Sequence, residues 1–363
     1  MTTAIDQLDV RAYTIPTDKP ESDGTLAWKE TTMILVRAGA DRVEGLGYTY
    51  GHASLVSVIQ SLLEPVVRGR DAMEVPAIQT VMVDQIRNNG QCGLAMMAVS
   101  AVDIALWDLK AKLLGLSLCR LLGQARESIA VYGSGGFTSY SDQELTDQLG
   151  GWAEQGISAV KMKVGRDPGA DLRRVRVARD AIGGETGLFV DANGAWSDSQ
   201  AVQAAAAFSE LGVTWLEEPV VAAEARQLRE IRRRMPAGMR VVAGEYGYRL
   251  TDFRDLLAAE AVDVLQADAT RCGGITGFLK AGCLAEAFHI PFSSHCAPAV
   301  HLHPALSLPA FSIAEYFHDH VRIEGIFFEG GGLLRQGHLF PDIGTPGLGL
   351  VLREKEVERY RVA

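Results

Sequence analysis

The apolar and polar positions of this chain fall into two regimes. From about residue 127 one rhythm repeats: a short β-branched or apolar run, a few polar or glycine residues, then a stretch with helical spacing. The runs are IAVYG, SAVKMKVG, GLFVDAN, VTWLEEP, RVVAGE, VDVLQAD, IPFSSH and FSIAEY, eight in all. Most are separated by segments such as DPGADLRRVRVARDAIGG and SDSQAVQAAAAFSELG, which end at glycine stops. Strands alternating with helices at this interval predict parallel βα units, and eight of them predict an α/β barrel.

The first 125 or so residues read differently. Strand-like TTMILVRAG and VEGLGYTYG are followed by helix-like ASLVSVIQSLLEPVV and LAMMAVSAVDIALWDLKAKLLG, an order that predicts a separate α+β unit. Residues 16–30, PTDKPESDGTLAWKE, are polar and rich in turn formers, so a mobile loop is expected there. After about residue 326 the chain is glycine-rich and has no further βα unit. The expected division is 1–125, 126–325 and 326–363.

Composition narrows the class. With 363 residues, 47% hydrophobic and 22% charged, the chain reads as soluble and globular, long enough to bury a core without staples. A net charge of −10 argues against nucleic acid or anionic membranes as partners, so an anionic ligand must be held by local positive charge. Five cysteines without CxxC spacing suggest neither a disulfide framework nor a structural zinc site. No signal-like opening and no apolar run of membrane-spanning length is present, and a cytoplasmic protein is expected.

In a barrel of parallel strands, functional groups collect at the C-terminal strand ends. Here those ends carry Lys161 and Lys163, Asp191, Glu217 and Glu218, Glu245, Asp268, His295 and Glu315. Each alone has an ordinary explanation: a turn-stabilising aspartate, a solvated strand end, a surface ion pair, a core histidine or snorkelling lysines. Ionisable residues at the same end of seven successive strands point instead to a site.

Asp191, Glu217 and Glu245 come from three consecutive strands, and converging carboxylates repel one another unless a cation lies between them. An all-oxygen set favours Mg²⁺ and argues against zinc. In AVKMKVG, alternation aims Lys161 and Lys163 to one side and Val160, Met162 and Val164 to the other. Beside Lys161 and a dication, the pKa of Lys163 is expected to fall toward neutrality, giving an amine base, while Lys161 holds an anionic substrate oxygen. Asp268 and His295 can form a dyad in which the carboxylate fixes the imidazole tautomer.

With these motifs in place the chain resembles the enolase superfamily, specifically its mandelate racemase subgroup (the mandelate racemase/muconate lactonizing enzyme family). The pieces that carry the resemblance are ALWDLKAKLLG, KMK, DAN, LEEP, GE, DATRCGGITG, SSH and AEY in that order, spanning nearly the whole chain. The resemblance implies a (β/α)7β modified TIM barrel covered by an N-terminal α+β capping domain, to which the C-terminal segment returns. It implies Mg²⁺ on Asp191, Glu217 and Glu245, with Lys163 as one acid/base and Lys161 assisting it. The His295–Asp268 pair would be the other acid/base, and Glu315 would hydrogen-bond the substrate carboxylate. Glu218 is not carried over as a ligand. The shared chemistry is loss of a proton α to a carboxylate through an enediolate, followed by racemisation or epimerisation, dehydration or cycloisomerisation. Assembly into a homo-oligomer is also implied.

In such proteins the cap sets specificity through two loops, here 16–30 and YTYGHAS at 48–54. Their groups Lys19, Glu21, Asp23, Trp28, Tyr48, Tyr50 and His52 are mostly polar and suit a polyhydroxylated acid better than an aromatic one. Asn193, Tyr246, Tyr248 and Arg271, just beyond strand ends, are further candidates. The expected activity is dehydration of an acid sugar to a 2-keto-3-deoxy acid. Its rivals are a 2-hydroxy-acid racemase or epimerase and a cycloisomerase of a cyclic sugar acid or lactone. A Schiff-base aldolase would instead resist chelators, and a ligand-binding barrel would leave every substrate unchanged.

Overall fold

The computed structural model describes residues 3–221 and 224–363. The cap is a three-stranded antiparallel sheet in the order β1 (Gln7–Ser22), β2 (Ala27–Ala40), β3 (Val43–Tyr50). It packs on the helix Leu94–Leu113, whose apolar residues on nearly every face are buried between the sheet and the barrel. The sheet can ride this close because of two glycines. A Cβ on Gly45 or Gly47 would lie 2.3 Å from the carbonyl of Ala105 or Ala101 respectively. The other side of the helix is bonded to the barrel: Asp103 accepts from the backbone N–H and hydroxyl of Thr276, and Trp107 Nε1 donates to the same hydroxyl.

Residues 16–30 are not the irregular loop expected from their composition. They form the far half of a β1–β2 ribbon, with a register shift between Pro16 and Glu21. The turn is closed by Asp23, whose Oδ1 accepts from the N–H groups of Thr25 and Leu26 at 2.6 and 2.7 Å. The tip is docked on the barrel rim: Arg166 Nε donates to the Asp23 carbonyl at 2.8 Å, Thr138 N–H to the Ser22 carbonyl at 2.8 Å, and Trp28 meets Phe137 edge-on.

The barrel strands are β4 (Ile129–Gly135), β5 (Ala159–Lys163), β6 (Gly187–Asp191), β7 (Val213–Glu217), β8 (Arg240–Ala243), β9 (Val264–Ala267), β10 (Phe292–Ser294) and β11 (Phe311–Phe317). All pair in parallel and in sequence, and β11 pairs with β4 to close the ring. Among the described residues, seven helices join the eight strands, the (β/α)7β arrangement. The interior below the mouth is filled by Tyr132, Phe189, Trp215, Val242 and Val264, with Phe189 stacked on Trp215 at 4.7 Å.

After β11 the helix His318–Phe327 reaches the cap, where Tyr13 meets Phe327 edge-on and the Tyr48 hydroxyl donates to Glu324. The remaining chain forms a hairpin, Leu333–Arg335 and His338–Phe340, antiparallel to β4. It then returns to the cap: Leu348 N–H donates to Asp108 Oδ1, and Val362 N–H donates to the Ala12 carbonyl.

Candidate active site

Register brings the ionisable strand ends level with one another. Lys163 is the partner of Asp191 across β5 and β6, and Asp191 is the partner of Glu217 across β6 and β7. Glu245 follows a position that only glycine fills well. Gly244 has φ +135°, and a Cβ there would lie 2.0 Å from the Gln266 carbonyl. Four non-glycine residues at the mouth also adopt left-handed backbone: Asn193 (φ 46°), Glu218 (φ 39°), Cys296 (φ 52°) and Ala297 (φ 37°). Strain of this kind collects where side chains must be aimed.

One carboxylate oxygen from each of Asp191, Glu217 and Glu245 lies within 4.8 Å of the others, and all three residues are buried. Among the described residues, Asn193 Oδ1, Glu218 Oε1 and Glu245 Oε2 are buried oxygens with no hydrogen-bond partner. Burial pushes the Glu217 carboxyl up to about 7 against the pull of Lys161, and raises Glu218 well above the ordinary range, with Glu245 adding to the rise. Crowded and all-oxygen, with Glu245 Oε2 unbonded among them, the set fits a hard dication such as Mg²⁺.

The two lysines have different surroundings. Lys161 is fully buried, paired with Glu217, 2.8 Å from Glu315 Oε1 and over the Tyr132 ring. Burial works against its charge, but Glu217 and Glu315 hold it protonated. Lys163 reaches the cavity and bonds Asp191 Oδ2 at 2.5 Å. Burial and the repulsion of Lys161 lower its pKa, but without a dication on Asp191 that carboxylate outweighs both, and the pKa is raised.

Opposite Lys163, His295 Nδ1 lies 2.9 Å from Asp268 Oδ2. Asp268 is held low despite burial by that hydrogen bond and by the charges of His295 and Arg271. It also accepts from the N–H and hydroxyl of Thr270, both at 2.7 Å. The other ring nitrogen, Nε2, lies 3.4 Å from Glu245 Oε2. Glu315 accepts from Ser134 Oγ at 2.6 Å and from Cys296 N–H at 2.7 Å, so both its oxygens are engaged.

These groups surround a cavity of about 350 Å³ beneath the cap ribbon. Lys163, Glu245, Asp268, His295 and Glu315 line it from the barrel. Of the specificity candidates, Trp28, Tyr50, Asp23, Asn193, Arg271 and Tyr246 also face it. The others do not. His52 caps its own turn through Ser54, Lys19 pairs with Glu144, Glu21 is buried under Trp28 Nε1, Tyr48 is buried against Glu324, and Tyr248 lines a separate groove with Arg249.

Among the cavity residues that escaped the sequence reading, His320 and Cys296 carry chemistry. His320 stacks on Tyr50 with ring centroids 3.5 Å apart and accepts from Ala297 N–H through Nδ1. Cys296 places Sγ 3.2 Å from His295 Nε2. His320 lies beyond β11 on the following helix, where the strand-end rule does not look. Cys296 directly follows His295 and was readable only as one of five cysteines.

Comparison with known proteins agrees with this geometry. Residues 10–123 match the mandelate racemase/muconate lactonizing enzyme N-terminal domain, and residues 144–356 match the enolase C-terminal domain-like family. An L-talarate/galactarate dehydratase of Salmonella typhimurium is 33% identical over 76% of this chain and 70% of its own length. A 3,6-anhydro-alpha-L-galactonate cycloisomerase of Streptomyces coelicolor is 32% identical over 84% of this chain and 86% of its own. Among solved structures, a mandelate racemase/muconate lactonizing enzyme-like protein from Rubrobacter xylanophilus superposes with TM-score 0.97 at 50% identity, covering 99% of this chain and 100% of that one. A racemase from Streptomyces coelicolor A3(2) with bound magnesium gives 0.92 at 31% identity, covering 99% and 100%. The chain belongs to the mandelate racemase/muconate lactonizing enzyme family.

Proposed function

We propose that this protein is a Mg²⁺-dependent acid-sugar dehydratase. It removes the proton α to a carboxylate, passes through an enediolate and expels the 3-hydroxyl to leave a 2-keto-3-deoxy acid. The observation that carries the reading is the opposition of Lys163 and the Asp268–His295 pair across one cavity. Each touches the carboxylate trio, Lys163 at Asp191 (2.5 Å) and His295 at Glu245 (3.4 Å).

In this reading Asp191, Glu217 and Glu245 hold the Mg²⁺, which when bound supplies positive charge for the enediolate oxygens. Lys161 adds a fixed charge at that end and orients the substrate carboxylate. One of Lys163 Nζ and His295 Nε2 takes the α-proton, and His295, oriented by Asp268, protonates the departing hydroxyl. Glu315 was expected to bond the substrate carboxylate directly. It lines the cavity and also positions Lys161, 2.8 Å away, while its oxygens accept from Ser134 Oγ and Cys296 N–H. Trp28, Tyr50, Asn193 and Arg271 contact the polyol, while His52, outside the cavity, is set aside.

Residues 1–125 then cap the site, 126–325 carry the chemistry and 326–363 tie the two together. The partner is a small acid sugar or hydroxy acid, handled in the cytoplasm by a homo-oligomer. Sedimentation showing only monomer at micromolar concentration would remove the oligomer from this picture.

The test is a screen of mono- and diacid sugars with Mg²⁺, read by semicarbazide trapping of the 2-keto-3-deoxy product. Activity should vanish with EDTA and in Lys163→Ala and His295→Asn. Exchange of the α-hydrogen with solvent deuterium without net conversion would replace the dehydratase by a racemase. Product formed only from an anhydro-sugar acid would replace it by a cycloisomerase.

A further inference from the structure

Beside the all-oxygen carboxylate set, the cavity holds a second cluster of different chemistry. His295, Cys296 and Glu315 are all buried and each offers one ligand atom within 4.8 Å of the other two. Cys296 Sγ lies 3.2 Å and Glu315 Oε2 3.9 Å from His295 Nε2. The ring is already set for coordination. Asp268, which can only accept, takes the hydrogen on Nδ1 at 2.9 Å, so Nε2 is the nitrogen turned to the thiol and carboxylate, and it offers a lone pair once any proton it carries has passed to solvent. A carboxylate behind a histidine is the usual support of a metal-binding imidazole. The left-handed backbone at Cys296 and Ala297 and the bond from Cys296 N–H to Glu315 hold the thiol in place.

We propose that His295 Nε2, Cys296 Sγ and a Glu315 oxygen form a soft-metal site that takes Zn²⁺ while Mg²⁺ remains on the carboxylate trio. Sulfur, nitrogen and one oxygen match the preference of zinc and not that of Mg²⁺. On binding, the thiol proton passes to solvent, and the thiolate and imidazole each give a lone pair to the ion. Three protein ligands leave one coordination position open to water or solute. Its effect on turnover rests on the reading of His295 as an acid/base: a coordinated Nε2 can neither take nor give a proton, and Zn²⁺ therefore inhibits. The occupancy itself does not depend on which reaction is catalysed.

Cobalt separates the two questions. Co²⁺ added to the Mg²⁺-saturated protein should produce a thiolate-to-metal absorption band that one equivalent of Zn²⁺ abolishes and that Cys296→Ser lacks. In the activity assay, Zn²⁺ should inhibit despite excess Mg²⁺. Cys296→Ser, measured against its own uninhibited rate, should weaken that inhibition by at least about tenfold. Cys296→Ala serves if the serine variant does not fold. Absence of the band in the wild type, or its persistence in both variants, overturns the site. A band without inhibition keeps the site and overturns the block on turnover, and inhibition relieved by Mg²⁺ alone places zinc on the carboxylate trio and overturns that block too.

Discussion

His295 Nδ1 and Asp268 Oδ2 lie 2.9 Å apart at the ends of neighbouring strands, and no other group sets the ring as directly. Asp268→Asn would offer an amide where the ring needs an acceptor and so favour the wrong tautomer. The expected result is a loss of turnover of about 10²–10⁴-fold with the fold and Mg²⁺ binding intact. A variant within tenfold of wild type would remove His295 from the chemistry.

The carboxylate trio makes different demands on stability and on metal binding. Glu245 Oε2 is buried without a hydrogen bond while Oε1 faces Arg271 Nη1 at 3.5 Å, so Glu245→Gln, which keeps an oxygen for Arg271, should change the melting temperature in EDTA only slightly. The same variant should lose most of the rise in melting temperature that Mg²⁺ gives the wild type. Thermal melts with and without metal check both parts, and an undiminished Mg²⁺ shift in the variant would place the ion elsewhere.

His303 supplies a pH dependence remote from the site. Its Nδ1 accepts from Cys119 N–H at 3.2 Å and its Nε2 donates to the Leu348 carbonyl at 3.1 Å, an arrangement only the neutral ring can make. Burial pushes its pKa down to about 4, below the usual value of about 6.5 in the unfolded chain. The stabilisation is therefore complete above pH of about 6.5 and is lost as pH falls toward 4, on the order of 2 kcal/mol by pH 4.5. Urea titrations at pH 7 and 4.5 should show a smaller drop for His303→Gln than for wild type. Parallel drops would dismiss the assignment.

Gly47, like Gly45, is a close joint between the cap sheet and its helix. A Cβ there would meet Ala101 O at 2.3 Å and Ala105 N at 2.4 Å, both backbone atoms that cannot swing aside. Gly47→Ala should cost about 3 kcal/mol or more, measured by chemical denaturation. A cost below 1 kcal/mol would mean that sheet and helix can separate without penalty.

Much of this was legible in the chain because a barrel ties function to strand ends. Once the eight runs are recognised, the strand-end rule picks out Asp191, Glu217, Glu245, Asp268 and His295, and their convergence follows from closure of the ring. The ribbon at 16–30 was not legible. Its prolines and acidic turn look like a loop, and what orders it are partners more than a hundred residues away, Thr138 and Arg166. His52 and Tyr48 sit in the expected segment, but the turn after β3 carries His52 away from the cavity, and Tyr48, on the same strand face as Tyr50 and two residues earlier, is buried against Glu324.

Asp108 accepts from Leu46 N–H on β3 through one oxygen and from Leu348 N–H through the other, and Ala12 on β1 bonds Val362 and Ala363. The cap is thus built from both ends of the described chain, with the barrel threaded between them as an insertion. During synthesis the first strands leave the ribosome long before the partners that complete them. The seam that joins the cap's first strand to the C-terminal segment can therefore close only after the last residues have left the ribosome.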